Sequence, residues 1–326
     1  MTTLWNTTGS AVVKALAGER RTGGAVTSGN ALTLVVVVDE QHIGAAEKAA
    51  AIAASRNPCR LLIVVRREVD LPKPRLDAEI LVGGRLGPGE AIVMRMYGRL
   101  ALHAESVTLP LLAPDAPVVT WWHGPPPKHI ANDPLGVFSD RRITDCGWID
   151  DGKTGLLERA RDFAAGDTDL AWTRTTSWRS ALASTFDTVT AKATHVSVTG
   201  ARQSPAVMLL AGWLSSRLHL KSTIKVATQN LNLTGISGVD IALDNDESIT
   251  LVRENGSVLI SRTGQQEQRA TVVDRELGDL LTEELRRLDA DEIYADALSA
   301  ATGVKKLRDR SSDRTHVWVD PLEGTS

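Results

Sequence analysis

The chain has 326 residues, 42% hydrophobic and 24% charged, the make-up of a folded globular protein with room for two ordinary domains, and this excludes extended disorder. A formal net charge of -3 and a pI near 6.2 give no electrostatic footprint for DNA or RNA. No apolar run approaches the roughly 18 residues of a membrane span, the amino terminus lacks a basic leader, and two cysteines, Cys59 and Cys146, are too few for a disulfide framework, so a cytoplasmic protein with two buried thiols is expected.

Ser10 to Arg20 reads as a short amphipathic helix capped by Ser10, with Val12, Val13, Leu16 and Ala17 on one side. Ala31 to Val38 is a valine-rich run of the kind that forms a strand covered on both faces, and it ends in Asp39 and Glu40. The alanine-rich stretch Ile43 to Ala54 is helical and stops before Asn57-Pro58, and Arg60 to Val65 is a second buried strand, completing a βαβ unit with parallel strands. Ala78 to Val82 and Ala91 to Tyr97 are two further strands. The glycines between them open a strand and not a helix, so they form a turn, not a dinucleotide loop. A helix is expected from Arg99 to about Thr108.

Leu109 to Pro127 places Pro110, Pro114 and Pro117 around short apolar runs, leaving space only for one strand from about Val118. Trp121, Trp122 and His123 then fall at the carboxyl end of that strand, where open α/β sheets carry ligands and partners. Five tryptophans, Trp121, Trp122, Trp148, Trp172 and Trp178, lie close together in the chain, and Trp is enriched at binding hot spots. The competing expectation is that their rings fill a domain junction.

Gly147 to Thr154 matches the phosphate-loop pattern G-x-x-x-x-G-K-[ST], with Lys153 to neutralise phosphate and Thr154 to hold magnesium. Three features oppose a nucleotide-binding protein or hydrolase: Asp150 and Asp151 stand where phosphates would lie, the preceding RRITDC lacks a strong strand pattern, and the acidic strand end at Asp39 precedes the loop. Further on, Arg174, Trp178 and Arg179 cluster at the start of a helix capped by Thr176 or Ser177. Such a cluster suits a partner's carboxylate or a sugar-phosphate effector, against pairing of the arginines with Asp167, Asp169 or Asp187.

His195 to Val198 alternates as a strand, and Ser204-Pro205 opens an apolar helix running to Leu218. Ile224 and Val226 mark a strand, and Asn255-Gly256 predicts a hairpin that pairs Arg253 with Val258 and Leu251 with Ile260. After a strand at Ala270 to Val273, a leucine-striped helix follows Asp274 as cap, and Asp289 with Glu292 forms a capping box for a last helix ending at Gly303.

The expected fold is α/β in two domains: residues 1–166 carry a mixed, mostly parallel sheet with flanking helices, 167–304 an α/β domain with an antiparallel hairpin and terminal helices, and 305–326 a polar tail. No catalytic set or metal-ligand spacing assembles: His123 and His129 are separated by prolines and a lysine, and no nucleophile elbow is present.

Asn57 to Arg60 (NPCR), Leu109 to Trp122 (LPLLAPDAPVVTWW) and Asp169 to Arg179 (DLAWTRTTSWR) occur in the order found in the OpcA family of glucose-6-phosphate dehydrogenase assembly proteins, and the chain resembles its actinobacterial type from the first helix to about Gly303. The resemblance implies a non-catalytic partner that promotes assembly or activation of glucose-6-phosphate dehydrogenase, with no cofactor of its own. It brings no catalytic residues, so Trp121, Trp122, His123, Arg174, Trp178 and Arg179 stand as candidate partner contacts.

Overall fold

The computed structural model describes residues 1–22, 30–130, 133–226 and 235–314, and these form two compact units. The first comprises Met1–Asp145 with Glu276–Ala290, and the second comprises Cys146–Arg275 with Asp291–Ser311. The units thus divide at Asp145, whereas the sequence suggests a boundary after residue 166.

The first unit is built on strands β1 (Thr2–Leu4), β2 (Leu32–Asp39), β3 (Cys59–Arg66), β4 (Arg75–Val82), β5 (Glu90–Tyr97), β6 (Val118–His123) and β7 (Arg141–Thr144). They lie side by side in the order β1-β4-β5-β3-β2-β6-β7. The pairs β2/β3, β3/β5, β2/β6 and β6/β7 are parallel, and β4 runs antiparallel to β5 and β1. The β-branched run of β2 is buried from Leu32 to Val38 and emerges only at Asp39. Each such fully buried Val, Leu or Ile contributes about 1.5–3 kcal/mol.

One apolar layer joins Val35, Val37, Leu62, Val64 and Trp122 to Val12 and Leu16 of the helix Gly9–Thr22. The alanine-rich helix Ile43–Arg56 packs on β2, β3 and the helix Leu277–Leu285, which returns to this unit from far along the chain. Small side chains permit that approach: a Cβ on Gly278 would stand 2.7 Å from Cβ of Ile52. The glycine segment between β4 and β5 is a hairpin turn, with Gly83 N donating to Gly89 O at 2.9 Å.

Buried charge is paired within this unit. Glu90 accepts from Arg60 Nε at 2.8 Å and from Arg20, and Arg60 Nη1 also donates to Leu111 O at 2.8 Å. Burial acts to raise the Glu90 pKa, but the two guanidiniums overcome it and hold the carboxyl below its ordinary range.

The second unit begins with β8 (Asp167–Asp169) and continues through β9 (Ala193–Gly200), β10 (Thr223–Val226), β11 (Ile236–Leu243), β12 (Ser248–Glu254), β13 (Ser257–Arg262) and β14 (Gln268–Thr271). β9 to β14 form a sheet in the order β10-β9-β11-β12-β13-β14, antiparallel except for β10/β9. The hairpin register is as the sequence predicts, Arg253 opposite Val258 and Leu251 opposite Ile260. Val196, Val198, Val239, Ile241, Ile249, Leu251 and Val258 bury one face against the helices Pro205–Leu218 and Glu292–Thr302. Those helices touch closely, since a Cβ on Gly212 would lie 2.3 Å from Ala297 O.

Several expectations need correction. RRIT at 141–144 is a fully buried strand although it is half arginine, because Arg141 finds Glu284 and Asp289 O, and Arg142 finds Ser139 O. The expected helix 99–108 is two single turns, Arg99–Leu102 and Glu105–Thr108, with His103 outside helical geometry between them. Thr8, not Ser10, supplies the side-chain oxygen at the first helix, and Asp291, not Asp289, caps the last, accepting from Tyr294 N at 2.9 Å. Asp274 pairs with Arg253 at 3.2 Å in place of capping. The start of the tail is docked: Leu307 is buried, and Arg310 donates to the carbonyls of Ala160, Arg161 and Phe163 at 2.9–3.1 Å.

Candidate functional site

The tryptophan-rich stretch sits at the carboxyl end of β6, but it faces inward. Trp121 and Trp178 are 0% exposed and Trp122 is 3% exposed. Alternation along β6 sends Trp122 to the layer of Val35 and Val37, while Trp121 and His123 share the opposite face, their ring centroids 4.9 Å apart. His123 is buried too, and burial together with the nearby His42 lowers its pKa against the pull of Asp145. These side chains are packing elements and not surface anchors.

The structure does not bring the other candidates to them as one site. Arg174 and Arg179 are half-buried in the second unit. Arg179 lies 3.7 Å above the ring centroid of Trp172 and donates to Thr175 Oγ1 and Thr176 Oγ1, both at 2.9 Å. Those two donors are therefore spent on the first turn of its own helix, Thr176–Phe186.

Gly147 to Thr154 lies after a strand and before a helix, yet it forms no cradle. Asp151 caps the helix Gly152–Asp162, accepting from Lys153 N at 3.2 Å and Thr154 Oγ1 at 2.5 Å, while Ile149 N donates to Cys146 O and Gly155 N to Asp151 O. The Thr154 hydroxyl, before the opposing effect of burial, leads the interactions that lower the Asp151 pKa. The N–H groups of Ile149, Lys153 and Gly155 are thus spent on local acceptors, and the Asp151 carboxylate stands at the helix start where a phosphate would bind. The nucleotide reading falls on this geometry.

Two other regions have open chemistry. The first is the carboxyl end of the parallel sheet. From β2 the chain builds outward through β3 and β5 on one side, then crosses to place β6 on the other, so β2 and β6 flank a topological switch point. Asp39, Arg66 and His123 end the three central strands there. The first βα connection, Glu40–His42, is a tight helical turn without glycine, and acidic side chains stand where a pyrophosphate would have to approach.

The second is the outer face of the antiparallel sheet. Register places Thr199, Gly238, Asp240, Ala242, Thr250, Val252, Leu259 and Ser261 on the face opposite the core. Val252 is 46% exposed and lies directly across from Leu259. Charges on this face are paired: Asp240, directly across from Thr250, with Lys225 at 3.2 Å, and Arg269, directly across from Leu259, with Glu254 at 3.1 Å. Sequence reading missed this surface because β11 went unrecognised; the alternation Val239, Ile241, Leu243 is its visible signal.

These features define an α/β protein with a doubly wound first unit and a second unit whose mostly antiparallel sheet buries one face in its core and exposes Val252 on the other. Over residues 50–161 the sequence matches the N-terminal domain, and over residues 165–298 the C-terminal domain, of the OpcA glucose-6-phosphate dehydrogenase subunit. The chain belongs to this family, OpcA. The two matched segments meet between residues 161 and 165, close to the boundary read from sequence and beyond the division of the compact units at Asp145.

Comparison with curated proteins found no match. Among solved structures, an NAD binding oxidoreductase from Klebsiella pneumoniae superposes with TM-score 0.40 at 9% identity, covering 84% of this chain and 97% of that one. An oxidoreductase from Sinorhizobium meliloti gives 0.45 at 11% identity, covering 90% and 100%. Likeness at that level defines neither a shared fold nor a shared activity.

Proposed function

We propose that this chain is a non-catalytic partner of glucose-6-phosphate dehydrogenase, which opens the oxidative pentose phosphate pathway, and that it acts in the cytoplasm by favouring the dehydrogenase's active oligomer. What carries the reading is membership of the family across both units, with matches over residues 50–161 and 165–298. Stimulation requires tighter binding to the active state than to the inactive one, since equal affinity shifts nothing.

The contact surface in this reading is the outer sheet face centred on Val252, Leu259 and Thr250, in place of the tryptophans. What supports it is the exposed Val252 directly across from Leu259, a partly apolar pair flanked by charges that are already paired, Asp240 with Lys225 and Arg269 with Glu254. Light scattering of the purified chain mixed with glucose-6-phosphate dehydrogenase tests association. A joint species heavier than either protein is expected, and two separate species at micromolar concentration would end the proposal.

A further inference from the structure

Trp121, Trp122 and Trp178 are core, but the first unit turns a different tryptophan to solvent. Trp5 is 69% exposed and directly follows β1, the strand that ends its sheet. The main chain carrying it is fixed on both sides. Leu4 pairs with Ala78, Asn6 N donates to Asp77 Oδ1 at 2.8 Å, and Thr7 N donates to Leu76 O at 2.8 Å. Backbone held in this way has little ordering left to lose on association, which is what lets an aromatic anchor concentrate binding energy. Singly exposed apolar residues are ordinary, so the neighbourhood of the ring decides its meaning.

Thr7, two positions beyond Trp5, lines a groove of 620 Å³. Two residues of extended chain span at most about 7 Å, so the main chain of Trp5 stands within that distance of the groove's rim. Val13, Leu76, Leu100, Val107 and Pro110 give the groove apolar walls, and Leu109, 45% exposed, continues that surface beside Pro110. An indole buries about 150–250 Å² in a socket of this kind. Among the described lining residues only Arg75 is charged, and Asp77 pairs with it at 2.7 Å. The amino group of Met1 is paired as well, with Glu19 at 3.5 Å.

A protruding ring and an apolar socket side by side on one rigid surface are the two halves of an isologous contact, in which the same patch serves both partners. Paired charge favours the same occupant, because a patch of net charge would repel its own copy. We propose that a second copy of this chain docks here about a two-fold axis, with Trp5 of each protomer entering the groove of the other. This contact goes beyond the dehydrogenase reading and needs only the first unit.

Sedimentation equilibrium of the purified full chain, without the dehydrogenase, tests it. The parent is expected to reach twice the 35.0 kDa of one chain at micromolar concentration. Trp5→Ala removes an exposed ring, so it is expected to melt like the parent and to dimerise about thirtyfold more weakly. Ser10 is exposed in the first turn of the helix Gly9–Thr22, where an acidic side chain suits the helix. Ser10→Glu therefore keeps the fold while setting a charge in the groove, and is expected to dissociate the dimer likewise. Should one variant fail to fold, the other decides. A parent that stays at 35.0 kDa throughout the micromolar range, or a folded variant that dimerises as tightly as the parent, would overturn the proposal. A monomeric parent whose Trp5→Ala variant loses association with the dehydrogenase would assign Trp5 to that partner and overturn it equally. Dimerisation is read without the dehydrogenase, so its absence leaves that reading standing.

Discussion

The guanidinium of Arg179 lies over the indole of Trp172, 3.7 Å from its centroid, and the same indole donates through Nε1 to Asp291 at 2.8 Å. Asp291 in turn caps the last helix through Tyr294 N. A half-buried arginine, a buried tryptophan and a helix cap thereby form one chain of contacts within the second unit. Arg179→Ala is expected to cost about 1–2 kcal/mol of stability, the sum of a cation–π contact and a net hydrogen bond. Asp291→Ala removes a cap and a tryptophan partner and is expected to cost about 2 kcal/mol. Denaturant melts check both, and a variant that melts like the parent would remove the structural role assigned here.

Glu90, held between Arg60 and Arg20, predicts a pH signature. Its pKa is depressed in the folded state, so its contribution is complete above the ordinary glutamate value of about 4.3 and is lost as pH falls through the folded value. Glu90→Gln leaves the buried Arg60 without its counter-charge and is expected to cost about 3–5 kcal/mol near neutrality. Thermal melting of parent and variant from neutral to acid pH checks it: the gap should narrow only in the acid range.

Both cysteines are buried and outside any disulfide, and burial pushes the Cys59 thiol up to about 12. Thiols in that state are poor nucleophiles. Alkylation read by mass spectrometry at mildly alkaline pH is expected to label neither cysteine in the native chain and both after denaturation. Rapid native labelling of Cys59 would contradict the burial.

Gly278 marks where the returning helix Leu277–Leu285 meets the alanine helix of the first unit. Gly278→Val forces its side chain onto Ile52 and is expected to destabilise by about 1–3 kcal/mol. Trimming the obstacle should reverse part of this, so the double variant Gly278→Val with Ile52→Ala is expected to be more stable than the sum of its single changes implies. Strict additivity in denaturant melts would contradict the contact.

Much of the fold was legible because local pattern and tertiary burial agree. The valine run of β2, the Ser204-Pro205 helix start and the Asn255-Gly256 hairpin each carry a signal that packing reinforces. Long-range pairing was not legible. Arg141 and Arg142 hide the strand pattern of RRITDC until Glu284, some 140 positions away, is seen to neutralise Arg141 in the core. The burial of the candidate tryptophans was not legible for a related reason: Trp combines a large apolar ring with one polar atom, so composition cannot separate a hot spot from a core filler. Trp121, Trp122 and Trp178 proved to be core, while Val252 and Leu259, ordinary residues in sequence, mark the open face.

The most direct measurement of the central claim is a titration of glucose-6-phosphate dehydrogenase with the parent chain and with Val252→Glu, reading dehydrogenase rate and oligomer mass in the same samples. Val252 points away from the core, so its variant should melt like the parent. The account predicts that the parent raises the rate and shifts the mass, and that Val252→Glu binds about thirtyfold more weakly, the effect of losing about 2 kcal/mol at an interface centre. No change in rate or mass with the parent would contradict the partnership, and equal stimulation by folded Val252→Glu would contradict the assigned surface.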